Sequence, residues 1–197
     1  MQSEGVRQIV RYLTHPQVVI DPERDVRNWS LNATGAARVA ALAERPGALA
    51  GTRRVVSSAE AKAIETAEPL ARALGVPVEV RPAMHENDRS ATGFLEPEEF
   101  ERVADQFFAA PDASVRGWER ARDAQARIVA EVEEVLAGPG GDLLLVGHGA
   151  VGTLLYCALA GREIDRRHDQ IPGGGCWFAF DRDTRQPDGG WRPMEEF

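Results

Sequence analysis

One stretch of the sequence, residues 142–155 (DLLLVGHGAVGTLL), limits the fold more than any other. The apolar residues 143–146 predict a short strand buried on both faces, and residues 150–160 predict an apolar helix packed on that strand. The turn between them, Gly147–His148–Gly149, is then expected at the carboxyl edge of a sheet, beside the free N–H groups of a helix N-terminus. Anions bind well at such a position, so His148 is a candidate residue of a phosphate or carboxylate site.

Strands and helices alternate along the rest of the chain. Short apolar runs predict strands at residues 8–14, 53–56, 76–80 and 176–180. Helical spacing predicts four further helices. The first starts at Thr34, and the second runs from an N-cap at Ser58 to a C-terminal cap at Gly75. The other two cover residues 97–109 and residues 114–136. The residues from 181 onward are polar and are expected to form an irregular tail. This alternation predicts an α/β fold, a three-layer α/β/α sandwich with a mainly parallel central sheet.

The length and composition fit one globular domain. Of the 197 residues, 43% are hydrophobic and 27% are charged, and we expect a single domain over residues 1–197 with a helical insertion at about residues 84–113. The formal net charge of -8 leaves no basic excess, which argues against nucleic acid as a partner. Because no apolar run is long enough to span a bilayer and the first residues lack the apolar core of a signal peptide, no membrane association and a cytoplasmic location are expected.

The cysteines and histidines do not follow a metal-binding pattern. Cys157 lies in an apolar helical segment and Cys176 precedes an apolar strand, so both are expected to be reduced, buried thiols. Because neither His-x-x-x-His nor Cys-x-x-Cys spacing occurs, no metal and no other cofactor is predicted.

Three loops are predicted to share one edge of the sheet, because ligand-binding loops follow the carboxyl ends of parallel strands. The loop after the first strand begins at His15, the turn after the second strand carries Ser57 and Ser58, and the third loop carries His148. Two histidines from opposite halves of the chain are therefore predicted to converge.

Three segments, YLTHPQV, SSAEAKAIETAEPLA and LLLVGHGAVGTLL, resemble in this order the signature blocks of the histidine phosphatase superfamily, also called phosphoglycerate-mutase-like. Members carry Arg-His-Gly after the first strand, then Ser-Ser followed by Arg-Ala-x-x-Thr-Ala, and a Ser-His-Gly or Gly-His-Gly turn near the end. The connecting segment WSLNATGAARVAALA resembles the family's Leu-Thr-x-x-Gly-x-x-Gln-Ala helix start. The resemblance, spread from about residue 8 to residue 180, implies a phosphoglycerate-mutase-like sandwich and phosphoryl chemistry without a metal.

The first block can be aligned with the family in two ways. Matching IVR to the family's Val-Arg-His places Tyr12 at the position of the nucleophilic histidine and implies a catalytically dead protein. Matching YLTHP makes His15 the nucleophile, with Thr14 in place of the arginine and Pro16 in place of the glycine. The second alignment is preferred, because a strand of normal length then ends where the catalytic loop begins.

The resemblance implies a role for each matching residue. His15 accepts the phosphoryl group covalently, while His148, protonated when that group is bound, and Lys62, at the position of the second arginine, stabilise it. Glu86, in the segment AMHEND, is the expected proton donor, with Asp88 as the alternative. The further phosphate-binding residues implied are Thr14, Gln17, Ser58 and Gly149.

The sequence departs from the family pattern at both phosphate-gripping arginines. Thr14 and Lys62 stand in their places, and each lost charge-assisted bond weakens transition-state binding by roughly 1.5–3 kcal/mol, or about one to two decades in rate. Other arginines are candidates to compensate, although the sequence does not show which of them face the site: Arg11, Arg53, Arg54 and Arg89.

Three functions are compatible with these residues. The first is a metal-independent phosphomonoesterase that acts on a small phosphorylated substrate. The second is a phosphoglycerate-mutase-type phosphotransferase, which the chain resembles less well because such mutases carry a longer insertion and keep both arginines. The third is a pseudophosphatase that binds phosphorylated ligands without turnover; Thr14 and Lys62 favour it, whereas the presence of both His15 and His148 opposes it. A homodimer is left open.

Overall fold

The computed structural model describes residues 7–197, which form a six-stranded sheet with helices packed against it. The strands are β1 (Ile9–Thr14), β2 (Thr52–Ser57), β3 (Val78–Val80), β4 (Asp142–Gly147), β5 (Cys176–Asp181) and β6 (Arg192–Pro193). The α-helices are α1 (Ala33–Glu44), α2 (Ala61–Leu74), α3 (Pro97–Ala109), α4 (Ala121–Leu136) and α5 (Gly149–Leu159).

The strand order in the sheet is β3–β2–β4–β1–β5–β6. The four strands β3, β2, β4 and β1 pair in parallel, whereas β5 runs antiparallel to β1 and β6 runs antiparallel to β5. The prediction of a mainly parallel sheet is therefore confirmed, with an antiparallel pair of strands added at one side.

Strand β4 is buried on both faces, as its apolar run predicted. Leu143 and Leu145 belong to the core that α3, α4 and α5 cover, whereas Leu144 and Val146 belong to the core beneath α1 and α2. Successive side chains of a strand point to opposite faces, so both faces of the sheet must be covered by helices. The three-layer sandwich is confirmed.

Helix α2 starts later than the sequence predicted. It begins at Ala61 with Glu60 as the N-cap residue, so the predicted N-cap at Ser58 is wrong. The Ser58 N–H donates instead to the carbonyl of Val146 on β4, at 3.0 Å, because the chain still follows the edge of the sheet at this point. The predicted C-terminal cap is confirmed, since Gly75 ends the helix with a left-handed φ of 70°.

Two predictions near the second half of the chain are also wrong. The helix expected from residue 114 begins at Ala121, because Gly117, with a φ of +81°, lies in a separate turn before it. The tail is not wholly irregular, since β6 pairs with β5 and the Trp177 indole N–H donates to the Pro193 carbonyl at 3.1 Å. A two-residue strand that contains proline has no pattern of its own and depends on this long-range pairing.

The segment between β3 and α4 contains α3, whose Phe107 and Phe108 are buried against α4. Cys157 and Cys176 are both buried, and neither forms a disulfide among the described residues. Within residues 7–197, no helix combines the length and the apolar character that crossing a bilayer requires.

The register of the parallel strands brings the three predicted loops to one edge of the sheet. Thr14, the last residue of β1, pairs with Gly147 of β4, and the His15 N–H continues this ladder by donating to the Gly147 carbonyl at 3.0 Å. Ser57 of β2 pairs with Val146 on the other side of β4. His15, Ser58 and His148 therefore leave the sheet side by side.

Tyr12 supports this edge from within the core. Its side chain is fully buried, and its hydroxyl accepts a hydrogen bond from the His148 N–H at 3.0 Å and donates one to the His148 carbonyl at 3.1 Å. A Cβ atom at Gly147 would lie 2.3 Å from the Tyr12 hydroxyl oxygen, so only glycine fits beside the ring. Tyr12 thus holds the backbone of the His148 turn.

We expect Tyr12→Phe to lower the free energy of unfolding by about 1–3 kcal/mol, because the buried His148 N–H and carbonyl both lose their partner. Urea denaturation measures this difference. Tyr156→Phe is the matched control, because the Tyr156 hydroxyl makes no hydrogen bond with any residue from 7 to 197, and it should change stability by less than about 0.5 kcal/mol. Equal losses in the two variants would contradict the role given to Tyr12.

Candidate active site

His15 and His148 converge at the carboxyl edge of the sheet, as expected of two loops that follow parallel strands. Their ring centroids are 5.3 Å apart and the rings are inclined at 66°. His15 follows β1 and His148 follows β4, and the parallel pairing of these strands brings the two rings together. Of the two alignments of the first block, this geometry favours the one that matches His15, because Tyr12 lies in the core.

The orientation of His15 fixes its neutral tautomer. Its Nδ1 atom lies 2.9 Å from the carbonyl oxygen of Pro16, which can only accept, so Nδ1 carries the proton and Nε2 keeps its lone pair. Burial and the neighbouring charge of Lys62 lower the pKa of His15 to about 4. The ring is therefore neutral over the physiological range, and Nε2 is available as a nucleophile.

His148 is fully buried and lies at the N-cap of α5. Its Nε2 atom is 2.8 Å from the Ser58 hydroxyl oxygen, while its Nδ1 atom has no hydrogen-bond partner among the described residues. Burial, His15 and Lys62 all lower the pKa of His148 well below its usual range. His148 is therefore neutral in the free protein, and an anion beside it would favour the protonated form.

Lys62 is buried beside the histidines, but its charge is already paired. Its Nζ atom donates to the Glu60 carboxylate and, at 2.7 Å, to the Val26 carbonyl. The other carboxylate oxygen of Glu60 lies 3.7 Å from His148 Nε2. Sequence reasoning missed Glu60, although an acidic residue two positions before the expected cation of the second block was a visible signal.

Glu86 binds the N-terminus of α5. Its carboxylate accepts the N–H groups of Ala150 at 3.3 Å and Val151 at 3.0 Å, and its own N–H donates to Glu60 at 2.9 Å. The predicted anion position at this helix is thus partly filled by a side chain of the protein. Burial raises the pKa of Glu86, although Arg89 and the Val151 N–H oppose that shift.

Asp88, the alternative acid, is in a different environment. It is exposed, and its carboxylate accepts the Ser90 N–H at 2.9 Å, the bond that chiefly lowers its pKa. A carboxyl group that remains ionised at neutral pH is a poor proton donor, so the structure favours Glu86 over Asp88 for that role.

Thr14 faces a neighbouring loop and not the space between the histidines. Its buried hydroxyl accepts the Cys176 N–H at 3.0 Å and donates to the side-chain oxygen of Gln170 at 2.6 Å. The Gln170 amide nitrogen lies close to the first residue of α5, since a Cβ atom at Gly149 would meet it at 2.5 Å. Gln170, which no sequence pattern indicated, therefore brings an amide donor next to the His148 turn.

Gln17 is turned away from the histidine pair. Its side-chain oxygen accepts a hydrogen bond from Arg38 of α1 at 3.1 Å, and its backbone carbonyl accepts the Asn32 N–H at 3.0 Å. These contacts fix the loop after β1 against the start of α1. The structure thus brings together His15, Ser58, Lys62, Glu86, His148 and Gly149 but directs the side chains of Thr14 and Gln17 elsewhere.

Of the four arginines considered as replacements, only Arg89 reaches the site. Arg11 pairs with Asp142 at 3.0 Å, and Arg54 pairs with Glu79 at 2.8 Å. Arg53 is exposed near the amino end of β2. These three lie away from the carboxyl edge, whereas Arg89 lines a cleft next to the histidine pair.

That cleft has a volume of about 590 Å³. Its walls are residues 22–29 of the loop after β1 and residues 85–90 of the segment after β3, and Glu60 and Glu86 lie where it meets the histidine pair. Within residues 7–197, no three His, Cys, Asp or Glu side chains gather as a ligand set for a metal ion. The arrangement offers a neutral imidazole nucleophile, hydrogen-bond donors, a buried carboxyl group and an adjoining space for a larger molecule.

A family model described as the histidine phosphatase superfamily (branch 1) matches residues 20–188. The match contains Lys62, Glu86 and His148 and begins after His15, in keeping with the altered first block. No curated protein sequence matches the chain.

Solved structures, among them those of a phosphatase, share the fold. Mycobacterial glucosyl-3-phosphoglycerate phosphatase is 21% identical with a TM-score of 0.74, and the alignment covers 95% of this chain and 97% of the other. The same phosphatase with inorganic phosphate is 22% identical with a TM-score of 0.71, covering 94% of each chain. YhfR from Bacillus stearothermophilus is 21% identical with a TM-score of 0.76, covering 91% of this chain and 94% of the other. At these identities the likeness establishes the fold alone.

The lowered pKa of His15 makes stability depend on pH. The pKa of His15 is 6.5 in the unfolded chain and about 4 in the folded protein. Above pH 6.5 the ring is neutral in both states, and the free energy of unfolding is at its highest. As the pH falls towards 4, the unfolded chain takes up the proton first, and the free energy of unfolding decreases. Between neutral pH and about pH 4, we expect the wild type to lose about 3 kcal/mol more unfolding free energy than His15→Gln.

Urea denaturation at a series of pH values measures this loss. His148 is present in both proteins, so the part of its pKa shift that burial and Lys62 cause cancels in the comparison, and the part that His15 causes belongs to the difference between the two proteins. Parallel stability curves for the wild type and His15→Gln would contradict the neutral state of the partly buried His15.

Proposed function

The chain belongs to the histidine phosphatase superfamily, branch 1, and on that basis we propose that it hydrolyses phosphomonoesters through a phosphohistidine formed on Nε2 of His15. The observation that carries the proposal is the bond from His15 Nδ1 to the Pro16 carbonyl, which leaves Nε2 unprotonated beside His148. A neutral imidazole in this orientation attacks phosphorus and splits one difficult displacement into two easier ones.

In the first step, the Nε2 lone pair of His15 forms a bond to phosphorus, and the bond from phosphorus to the ester oxygen breaks. The ester oxygen leaves with that electron pair and takes a proton from Glu86, whose raised pKa favours the protonated acid. In the second step, the oxygen of a water molecule forms a bond to phosphorus and gives a proton to the Glu86 carboxylate, while the bond from phosphorus to Nε2 breaks and its electron pair returns to His15. Inorganic phosphate leaves, and His15 returns to its neutral form.

The negative charge of the transferring group needs donors around it. We assign this role to His148, which becomes protonated beside the bound anion, and to Lys62, Ser58 and the Gly149 N–H. Lys62 must exchange its contact with Glu60 for a contact with a phosphoryl oxygen. The binding free energy gained from the new contact is therefore reduced by the cost of breaking the ion pair. The Gln170 amide, oriented by Thr14, is a further donor next to the same turn.

A binding protein without turnover is the second candidate function. The internal pair of Lys62 and Glu60 favours it, because a cation neutralised by its own carboxylate contributes less to a phosphoryl transition state. The small phosphorylated substrate, the metal independence, the cytoplasmic location and the homodimer stay predictions.

We expect the metal-stripped protein to hydrolyse an aryl phosphate between about pH 5 and 8, and His15→Ala to lose at least about a thousandfold in kcat, the cost of removing a nucleophile. Brief exposure to phosphoramidate should leave an acid-labile, base-stable label on the wild type and none on His15→Ala. His168→Ala is the matched control, because His168 lies outside the site against Arg162 and Tyr156.

Loss of activity with chelator would contradict metal independence. Equal turnover by the wild type and His15→Ala would contradict the nucleophile. A wild type that binds phosphate but shows neither turnover nor label would establish the binding protein instead.

Glu86→Gln tests whether Glu86 is the proton donor, because the effect of losing a donor depends on how strongly the leaving group needs a proton. An alkyl alcohol needs a proton as it leaves, whereas 4-nitrophenolate is stable without one, so kcat/KM, which reports the first step, should fall about 100-fold or more for an alkyl phosphate and much less for 4-nitrophenyl phosphate. Asp88→Asn should leave both rates nearly unchanged, because Asp88 is exposed and bonded to the Ser90 N–H. Equal losses of kcat/KM on the two substrates in Glu86→Gln would show that Glu86 positions α5 and donates no proton in the first step.

A further inference from the structure

The Glu60 carboxylate lies among groups that suit a bound anion. One of its oxygens accepts a hydrogen bond from the Lys62 ammonium. The other oxygen accepts the Glu86 N–H at 2.9 Å and lies 3.7 Å from His148 Nε2. A cation, a backbone N–H and an imidazole around an oxyanion are also what binds a phosphoryl group. The carboxylate of Glu60 therefore has the surroundings of an anionic ligand, although it belongs to the protein.

The local backbone directs this side chain to the histidine pair and not to its own helix. Glu60 is the N-cap residue of α2, yet among residues 7–197 its carboxylate makes no capping hydrogen bond. The favoured N-cap residues have short polar side chains that fold back onto the first N–H groups of the helix. Because Glu60 does not act in this way, its side-chain contacts are those with Lys62 and Glu86.

The ion pair between Glu60 and Lys62 is almost completely removed from water. The side chains of the two residues are 6% and 4% exposed, and the Lys62 ammonium also donates to the Val26 carbonyl at 2.7 Å. A buried charge that loses its partner is strongly unfavourable unless another ion takes the place of that partner. A phosphate that approaches Lys62 therefore competes with Glu60 for the same cation.

Glu60 has room to withdraw when an anion displaces it. It lines the cleft of about 590 Å³, whereas Lys62 does not. The displaced carboxylate can turn into this cleft and become hydrated, while Lys62 keeps its contact with the Val26 carbonyl. The charge of Glu60 also reaches the nucleophile: burial and Lys62 lower the pKa of His15, and the Glu60 carboxylate opposes that shift.

We propose that Glu60 is an affinity-determining residue, an internal carboxylate that competes with phosphate for Lys62 and keeps the affinity of the site for free inorganic phosphate low. Inorganic phosphate must displace this carboxylate with its own charge alone. An ester has further contacts through its organic part, so the same competitor weakens the binding of the product more than that of the substrate. This role rests on the proposed phosphatase function, because it requires the phosphoryl group to bind between Lys62 and the histidines.

Calorimetric titration with inorganic phosphate tests this role without turnover. Glu60→Gln removes the charge, while the amide oxygen can still accept the Glu86 N–H. Phosphate should bind this variant about 10- to 100-fold more tightly than the wild type, the effect of one charge-assisted contact. The matched control is Glu68→Gln, since Glu68 is exposed on α2 and makes no hydrogen bond or ion pair with any residue from 7 to 197. The control should change the Kd less than about twofold.

A double-mutant cycle shows whether the gain acts through Lys62. Lys62→Met should weaken phosphate binding about 10-fold more in the Glu60→Gln background than in the wild type, because the cation is uncompensated only in that background. Glu60→Asp keeps the charge but shortens the side chain by one methylene, so it should give a smaller gain in affinity than Glu60→Gln. It also provides the comparison with the wild type if Glu60→Gln does not fold.

Thermal unfolding gives an independent readout. Glu60→Gln leaves a buried cation without its partner, so its Tm should be lower than that of the wild type. Phosphate should then raise the Tm of Glu60→Gln by more degrees than it raises the Tm of the wild type, because it binds the folded variant more tightly.

Two results would overturn the role given to Glu60. Unchanged or weaker phosphate binding in the Glu60 variants would show that this carboxylate holds Lys62 in place for the anion. Equal losses from Lys62→Met in the two backgrounds would show that Glu60 does not act on Lys62.

A failure of the proposed function is recognised separately, because phosphate binding requires no hydrolysis. Tighter phosphate binding by Glu60→Gln, in a protein that neither hydrolyses an aryl phosphate nor takes up the phosphoramidate label, supports the role of Glu60 and contradicts the phosphatase. Hydrolysis that depends on His15, together with unchanged phosphate binding in Glu60→Gln, supports the phosphatase and contradicts the role of Glu60.

Discussion

Parallel pairing of β1 with β4 sets Thr14 opposite Gly147, so that the next residues along the two strands, His15 and His148, leave the sheet together. The pairing extends one residue past β1, because the His15 N–H donates to the Gly147 carbonyl. Tyr12 braces the opposite side of the turn through both backbone groups of His148. A shift of one residue in this register would send the side chains of β1 to the wrong faces and separate the two rings.

The charges around the histidine pair are largely compensated within the protein. Lys62 is bound to Glu60, and the N-terminus of α5 is occupied by the Glu86 carboxylate, so the groups that attract a phosphate already have anionic partners. A phosphoryl group must therefore replace contacts and not simply enter an open cationic pocket. Arg89 is different, because it lines the adjoining cleft over the Phe100 ring and makes no ion pair with any residue from 7 to 197.

Much of the fold was predictable from local pattern. The apolar run of β4 indicated a strand that is buried on both faces, and the alternation of strands with helices indicated the layers and the shared edge of the sheet. Both features are visible in short stretches of sequence. The start of α2 was not predictable, since Ser58 is an ordinary N-cap residue until the pairing of its N–H with Val146 extends the strand. The strand β6 likewise depends on contacts with β5 that are distant in sequence.

The sequence by itself indicated that His15, the Ser58 turn and His148 each follow a strand of a mainly parallel sheet, and hence that they lie at one edge of that sheet. Only the tertiary structure decided what surrounds them. It directed Thr14 to Gln170, turned Gln17 to Arg38, paired Lys62 with Glu60 and placed Arg89 over the Phe100 ring. The physical reason is that the alternation of strands and helices follows from short-range pattern, whereas the partner of a side chain depends on loops whose mutual position is set by packing of the whole chain.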